Sequence, residues 1–141
     1  MRRVVEIERA AFGREAWRAE LFQEYFQIAP ELFLVARLGR RIAGYSIART
    51  DWRGAELESI AVDPLYRGRG VAQSLLTATI ELLKGAKALR LMVSVANEPA
   101  LRFYQRFGFT RVRKVARYYG KGRDAWRMRL KPPRSRPEQQ T

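Results

Sequence analysis

A strand, a tight basic turn and a helix follow one another directly in residues 60–76, and this segment constrains the fold more than any other. The apolar run Ile60–Val62 stops at Asp63-Pro64, and apolar residues recur at helical spacing from Val71 onward. The first amides of a helix have no intrahelical acceptor and lie at the positive end of its dipole, so they bind anions. The segment therefore predicts a strand–turn–helix unit with a phosphate site at the turn.

The turn itself, residues 67–70, combines two glycines with two arginines. Gly68 and Gly70 allow the main chain to approach a ligand closely, and Arg67 and Arg69 place positive charge beside it. No Gly-Lys-Ser/Thr follows, which excludes a P-loop, and no Gly-x-Gly-x-x-Gly is present, which leaves a dinucleotide fingerprint unsupported. What remains is Arg67-x-x-Gly70-x-Ala72. It resembles the Arg/Gln-x-x-Gly-x-Gly/Ala pyrophosphate motif of the GNAT superfamily of acyl-CoA-dependent N-acetyltransferases.

A second segment, residues 97–109, carries the same resemblance. Asn97, Ala100, Tyr104 and Gly108-Phe109 satisfy the superfamily pattern Asn-x-x-Ala-x-x-x-Tyr-x-x-x-Gly-Phe. Two motifs at the right separation therefore identify the chain as a GNAT member.

The end of the chain resembles a narrower group. Tyr118-Tyr119, followed by Asp124-Ala125-x-x-Met128, is similar to the close of protein N-terminal acetyltransferases, including the ribosomal-protein-alanine (RimI-like) group. The resemblance implies that Tyr118 and Tyr119 line the slot for the first residues of the acceptor. The alternative is that both tyrosines pack across the strands of a hairpin.

Composition excludes several reaction classes. The 141 residues include no cysteine and no histidine, so a Ser-His-Asp triad, a cysteine nucleophile, a disulfide and an ordinary zinc site are ruled out. We therefore predict no metal. Proton transfer must use carboxylates, tyrosine, an amine, the main chain or water.

Length and hydropathy predict a soluble globular domain. Hydrophobic residues make up 47% of the chain and charged residues 30%, and the length suits one domain with a core of its own. No apolar run approaches the roughly 20 residues that a membrane helix needs, and residues 1–6 carry no signal peptide. The expected location is cytoplasmic, with no membrane partner, as a monomer or homodimer.

The net charge is +14, and its distribution is uneven. Residues 102–136 hold ten arginines and three lysines against one acid, Asp124. One interpretation is a solvated, arginine-rich surface. The other is a basic face that meets an acidic acceptor, a ribosomal or acidic protein partner, or RNA.

Periodicity gives the order of elements. Helices are predicted over residues 2–11, 15–26, 70–84 and 98–106, with Gly85 as the cap of the third. Strands are predicted over residues 32–36, 42–48, 55–62, 89–95, 109–115 and 125–130. We expect an α/β (α+β) fold with a mixed, mostly antiparallel twisted sheet and helices on both faces, over one domain of residues 1–131.

The ends of the chain carry two further expectations. Residues 132–141 read as a disordered, basic, proline-rich tail. The GNAT fold usually opens with a strand, whereas the helical pattern here starts at residue 2, so the usual first strand is expected to be missing or to lie upstream of this start.

The resemblance implies where acetyl-CoA, the co-substrate, would bind. Its diphosphate would contact the turn and the start of the helix, and its pantetheine arm would pair with the preceding strand, whose main chain polarises the thioester. Asn97 would also contact the coenzyme, and Tyr104 would protonate the departing sulfur. The alternative role for Tyr104 is an aromatic core residue. The implied coenzyme-binding residues are Ile60, Ala61, Val62, Arg67, Gly68, Arg69, Gly70, Val71, Ala72, Gln73 and Asn97.

The base is less well defined. Glu56 and Glu58 share a face of the strand because side chains alternate along it, and either could deprotonate an amine directly or through water. Both could instead face solvent. Family N-terminal acetyltransferases often carry a second Glu or His on the next strand, where this chain has Met92, which cannot accept a proton.

The chemistry favours an α-amine acceptor. At pH 7 an α-amine is roughly 10–20% neutral, whereas a lysine is only about 0.04% neutral. We therefore expect acetyl transfer to a protein or peptide N-terminus. The alternatives are a catalytically weak GNAT scaffold that binds RNA or the ribosome, and a small-amine acetyltransferase.

Overall fold

The computed structural model describes residues 1–13 and 16–131. The predicted tail, residues 132–141, lies outside the described residues, as does the predicted start of the second helix at Glu15. The chain forms two compact units. Among the described residues, one comprises Met1–Thr50 and Glu56–Lys84, and the other comprises Asp51–Ala55 and residues 85–131.

The first unit contains three helices and most of three strands, apart from short 3-10 turns. The helices are α1 (Arg2–Phe12), α2 (Ala19–Ile28) and α3 (Val71–Leu82), and the strands are β1 (Phe33–Leu38), β2 (Arg41–Asp51) and β3 (Gly54–Val62). The strand order is β1-β2-β3, and β1 pairs with β2 antiparallel. The last residue of β2 and the first two of β3 belong to the second unit.

Two apolar clusters cover β3. Ala61 packs with residues of α1, α2 and β2, among them Ile7, Phe22 and Tyr45. Its neighbours Ile60 and Val62 pack with Val71 and Leu75 of α3 and with Ala43. Because side chains alternate along a strand, both faces of β3 are occupied, and the strand leads directly into the turn at residues 67–70.

The second unit contains β4 (Leu89–Ser94), α4 (Glu98–Phe107), β5 (Thr110–Val115) and β6 (Ala125–Leu130). The strand order is β4-β6-β5, and both pairs are antiparallel. The Asn97 side chain accepts a hydrogen bond from Ala100 N at 3.3 Å and caps α4, and Gly108 (φ 104°) ends it. Leu91, Val93 and Met128 are buried and form part of the core of this unit.

Element types and order match the sequence predictions, with corrections to several boundaries. The second strand continues to Asp51, three residues beyond its predicted end at residue 48. The second helix begins at Ala19, not at residue 15. The third ends at Leu82 with Leu83 as its C-cap, so the expected cap at Gly85 is wrong. Among the described residues the first element is α1, which begins at Arg2. None of the helices in this part of the chain combines the length and the apolar character needed to cross a membrane.

Candidate active site

The predicted phosphate turn has the backbone that an anion site requires. Gly68 (φ 78°) and Gly70 (φ 76°) both occupy the left-handed region, which side-chain-bearing residues rarely adopt. Gly70 is the N-cap of α3 and no side chain caps the helix, whose main-chain bond Ser74 N to Gly70 O is 3.0 Å long. The amides of residues 71–73 therefore have no helical acceptor. The turn is a strong candidate for binding a diphosphate.

The start of this turn is fixed by a buried carboxylate. Asp63 is 6% exposed, and its side chain accepts a hydrogen bond from Leu65 N at 2.9 Å and forms an ion pair with Arg3 of α1. The hydrogen bond from the Leu65 amide lowers the pKa of the Asp63 carboxyl, and the ion pair with Arg3 lowers it further. The Asp63 amide in turn donates to Ala43 O at 2.7 Å. These contacts hold the end of β3 and so position the residues that follow.

Glu56 and Glu58 lie near the same guanidinium. Arg49 of β2 forms an ion pair with Glu58 through Nε, and its Nη2 is 3.4 Å from Glu56 Oε2. Glu56 is only 7% exposed, so the alternative that both carboxylates simply face solvent is not what the structure shows. Sequence reasoning missed Arg49, which falls one position beyond the predicted strand 42–48 but lies within β2. The role of either glutamate as a base stays a prediction.

Tyr104 lies on the buried side of α4. It is 8% exposed and packs edge-on against Phe103 and Phe109, with ring centroids 5.4 and 5.6 Å away. Burial raises its pKa strongly, and the nearby Tyr119 raises it further. The phenol thus keeps its proton at physiological pH, as a general acid must. The packing role foreseen as an alternative is present. The role of Tyr104 as the acid stays a prediction, since one ring could serve both purposes.

Tyr118 and Tyr119 lie in the connection between β5 and β6, not in the strands. Their rings meet edge-on at 4.8 Å, and Tyr118 is 49% exposed. Burial raises the pKa of Tyr119 to about 12. Cross-strand packing therefore does not describe the pair, and their role in acceptor binding stays a prediction.

Two other predicted positions are also located within the second unit. The Asn97 Oδ1 caps α4, so a contact with coenzyme through its side-chain nitrogen stays a prediction. Met92 lies on β4 opposite Arg127 of β6. Its thioether supplies no base at this position.

The structure adds one carboxylate that sequence reasoning did not single out. Glu8 of α1 is 1% exposed and accepts hydrogen bonds from Trp17 N and Ser59 Oγ, both at 3.2 Å. Ser59 Oγ also lies 3.0 Å from the Tyr45 hydroxyl. Glu8 thereby ties the connection before α2 to β3. The available signal was an acid within the apolar stripe of α1, between Ile7 and Ala11.

Glu8 makes folding pH-dependent. Burial raises its pKa from an ordinary 4.5 to about 7, despite opposing hydrogen bonds from Trp17 and Ser59. Between these values the folded chain holds a proton that the unfolded chain has lost, so the stabilisation present below pH 4.5 is lost as pH rises through about 7.

We expect Glu8→Gln to remove this dependence, since glutamine keeps an acceptor for Trp17 N but does not titrate. Measured by urea denaturation, the free energy of unfolding of the wild type minus that of the variant should fall by about 2–3 kcal/mol between pH 5 and pH 8. An equal difference at both pH values would contradict the buried, proton-holding carboxylate.

The chain is similar in sequence to known acetyltransferases. Residues 1–109 match the family model described as the acetyltransferase (GNAT) family. N-alpha-acetyltransferase 30 of Schizosaccharomyces pombe is 34% identical over 125 residues, which cover 84% of this chain and 83% of that protein. N-alpha-acetyltransferase RimI of Mycobacterium tuberculosis is 33% identical over 133 residues, covering 90% and 84%.

A solved structure agrees with these matches. The crystal structure of the ribosomal-protein-S18-alanine N-acetyltransferase from Escherichia coli superimposes with a TM-score of 0.80 at 26% identity. The superposition covers 97% of this chain and 89% of that chain. The similarity therefore extends over nearly the whole sequence.

Proposed function

The chain belongs to the GNAT family and is an N-acetyltransferase, and from that premise we propose that it transfers the acetyl group of acetyl-CoA to the α-amine of a protein or peptide N-terminus. Family membership confirms the resemblance seen in the two motifs and the α/β fold class. The binding of acetyl-CoA is supported by one observation above all: no side chain caps the start of α3, which directly follows Gly70 with its left-handed backbone.

The donor would be held largely by main chain. Amides from Gly68 to Gln73 would bind the diphosphate, with Arg67 and Arg69 adding charge, because charge-assisted hydrogen bonds to phosphate are strong. Arg69 already lies over the Tyr66 ring, 5.6 Å from its centroid. The pantetheine arm would pair with Ile60–Val62, whose main chain would polarise the thioester carbonyl.

The reaction needs one proton removed and one supplied. The amine nitrogen attacks the thioester carbon, a C–N bond forms, and the C–S bond breaks. The proton lost from the amine goes to a base, and the leaving thiolate takes one from an acid. We assign the acid to Tyr104, whose raised pKa keeps it protonated.

We assign the base to Glu56 or Glu58, acting directly or through a water molecule. Arg49 contacts both carboxylates, which lie on the same side of β3, and a carboxylate oxygen accepts hydrogen bonds from an amine or a water molecule. A weak base of this kind suits an acceptor that is already partly neutral. This is the physical reason for preferring an α-amine to a lysine.

The names of the relatives support the same acceptor. The S. pombe and M. tuberculosis proteins are both named N-alpha-acetyltransferases, and the E. coli enzyme is named for an alanine of ribosomal protein S18. A protein N-terminus is therefore the acceptor class that we propose, with Tyr118 and Tyr119 contacting its first residues.

Two peptides of matched sequence test the proposal, each carrying a single amine. One has a free N-terminus and no lysine, and the other has a blocked N-terminus and one internal lysine. With acetyl-CoA at pH 7, mass spectrometry should show the free N-terminus acetylated faster by about two orders of magnitude. At pH 9 the ratio should shrink by about tenfold, because between pH 7 and pH 9 the neutral fraction of lysine rises about a hundredfold while that of the α-amine rises only about sixfold to tenfold.

Faster acetylation of the lysine peptide at pH 7 would contradict the proposed acceptor. Binding of acetyl-CoA without turnover on either peptide would favour the catalytically weak scaffold. Acetylation of free polyamines in preference to both peptides would favour a small-amine enzyme.

A further inference from the structure

Four arginines converge on a cleft in the second unit that the acetyl-transfer proposal does not use. The cleft has a volume of about 180 Å³. We call it the arginine cleft, and it is lined by Arg53, Ala88, Arg90, Val112, Arg127 and Arg129.

Strand register explains why the arginines meet. Arg90 of β4 pairs directly with Arg129 of β6, and Arg127 lies two residues before Arg129 on the same face. Arg53 comes from the turn between β2 and β3, and Ala55 N donates to Ala88 O at 3.0 Å, which holds that turn beside the start of β4. Only Arg127 and Arg129 come from the basic segment that the sequence singled out.

The lining of the cleft is strongly basic. Asp51, which is not part of the lining, binds Arg90 and has both carboxylate oxygens 3.1–3.2 Å from its Nη2. Among the described residues, the lining itself includes four arginines and no acid. Like charges packed on one face of a sheet are destabilising, so an arrangement with several guanidinium groups around one cleft is suited to an anion.

An exposed aromatic ring adjoins the arginine cleft. Trp52 is 84% exposed, although an indole gains free energy when it is buried. The Arg53 guanidinium lies 5.2 Å from the centre of its ring, so Arg53 links the ring to the lining. An exposed ring beside arginines is the combination that single-stranded nucleic acids use, with bases stacked on aromatics and phosphates held by positive charge.

We propose that the arginine cleft binds a phosphodiester group of single-stranded nucleic acid, while an adjacent base stacks on Trp52. The guanidinium fork matches phosphate oxygens in a bidentate manner, and every cationic residue of the lining is an arginine. The volume suits a small group such as one phosphate. An acidic peptide would satisfy the charge equally well but would leave the indole exposed to solvent, so the exposed Trp52 favours nucleic acid.

Fluorescence anisotropy with a labelled 12-nucleotide single strand tests the proposal, using RNA and DNA of the same sequence. The cleft variant is Arg53→Gln/Arg129→Gln, which changes two exposed residues. The control is Arg37→Gln/Arg40→Gln, which makes the same charge change at two exposed residues outside the lining. Trp52→Ala removes the ring alone.

We expect the wild type to bind the single strand at 50 mM salt and the cleft variant to bind at least tenfold more weakly, with the control changing less than threefold. The slope of log K against log salt should become shallower by about 0.7 in the cleft variant, because the contact with the one phosphate held in the cleft is lost. Trp52→Ala should weaken binding by roughly fivefold to hundredfold without changing the slope. Equal binding of RNA and DNA would support recognition by phosphate and base, and a preference for RNA would add a contact to the 2′-hydroxyl.

Three results would overturn the proposal. The first is no binding by the wild type at 50 mM salt. The second is an equal loss in the cleft and control variants, which would reduce the effect to net charge. The third is competition by polyglutamate as effective as that by the unlabelled single strand. Acetylation of the N-terminal peptide by the cleft variant should be unchanged, which keeps this test separate from that of the proposed function.

Discussion

Replacing Gly70 with valine is expected to weaken acetyl-CoA binding by about tenfold to hundredfold. One hydrogen bond to a charged group contributes about 1.5–3 kcal/mol, and the variant should lose at least one. A Cβ at Gly70 meets no atom of the protein within 4 Å, so the new side chain would project into open space beside the α3 amides, where we place the diphosphate. The affinity is measured by isothermal titration calorimetry with acetyl-CoA.

Gly39→Val is the matched control. Gly39 also has a positive φ (63°), and a Cβ added there likewise meets no atom within 4 Å, but it lies in the turn between β1 and β2. Both variants should therefore lose a similar free energy of unfolding, about 1–2 kcal/mol, from left-handed strain. Only Gly70→Val should lose coenzyme affinity. Equal affinities in the two variants would contradict the phosphate site at the start of α3.

The strand–turn–helix unit could be predicted because all its determinants are local. The apolar run before Asp63, the glycines and the helical spacing after Val71 each act within a few residues, and the structure keeps them in that order. The capping of α4 by Asn97 is local in the same way. Family motifs consist largely of such positions, which is why two of them sufficed to identify the family.

Element boundaries depended on contacts that the sequence pattern does not reveal. Trp17 lies before α2, yet its ring stacks on Tyr25 of that helix with ring centroids 5.2 Å apart. Its apolar side chain therefore fits the helical spacing although the residue is not part of the helix. The end of α3 is set by its last hydrogen bonds. Leu83 N donates to both Thr79 O and Ile80 O, and Lys84 N donates to Glu81 O, so the last turn tightens and the helix ends before Gly85.

Partners distant in sequence were the other limit. Glu8 meets Ser59 across 51 positions, Arg3 meets Asp63 across 60, and Arg53 joins Arg129 in one cleft. A sequence pattern places each residue on a face of its element but does not say which face lies opposite. The buried acid, the anchor of the turn and the arginine cleft therefore required the structure.

Replacing Tyr104 with phenylalanine is expected to lower kcat by about 10²- to 10⁴-fold, the usual contribution of a general acid. Phenylalanine keeps the ring that packs on Phe103 and Phe109, so the melting temperature and the affinity for acetyl-CoA should remain close to those of the wild type. Stopped assays of peptide acetylation give kcat, and calorimetry gives the affinity. An unchanged kcat would exclude Tyr104 as the acid.

Acetyl donors with different leaving groups show whether Tyr104 donates a proton or only packs. An arylthiol leaves as a stable thiolate and needs no proton in the transition state, so an acetyl thioester of an arylthiol should react with the variant and the wild type at similar kcat/KM. With acetyl-CoA, whose alkylthiolate is more basic, the variant should show the full loss of kcat/KM relative to the wild type. Because the raised pKa of Tyr104 keeps the phenol protonated, the wild-type rate should show no loss from its ionisation below about pH 10. An equal deficit with both donors would assign Tyr104 to packing alone.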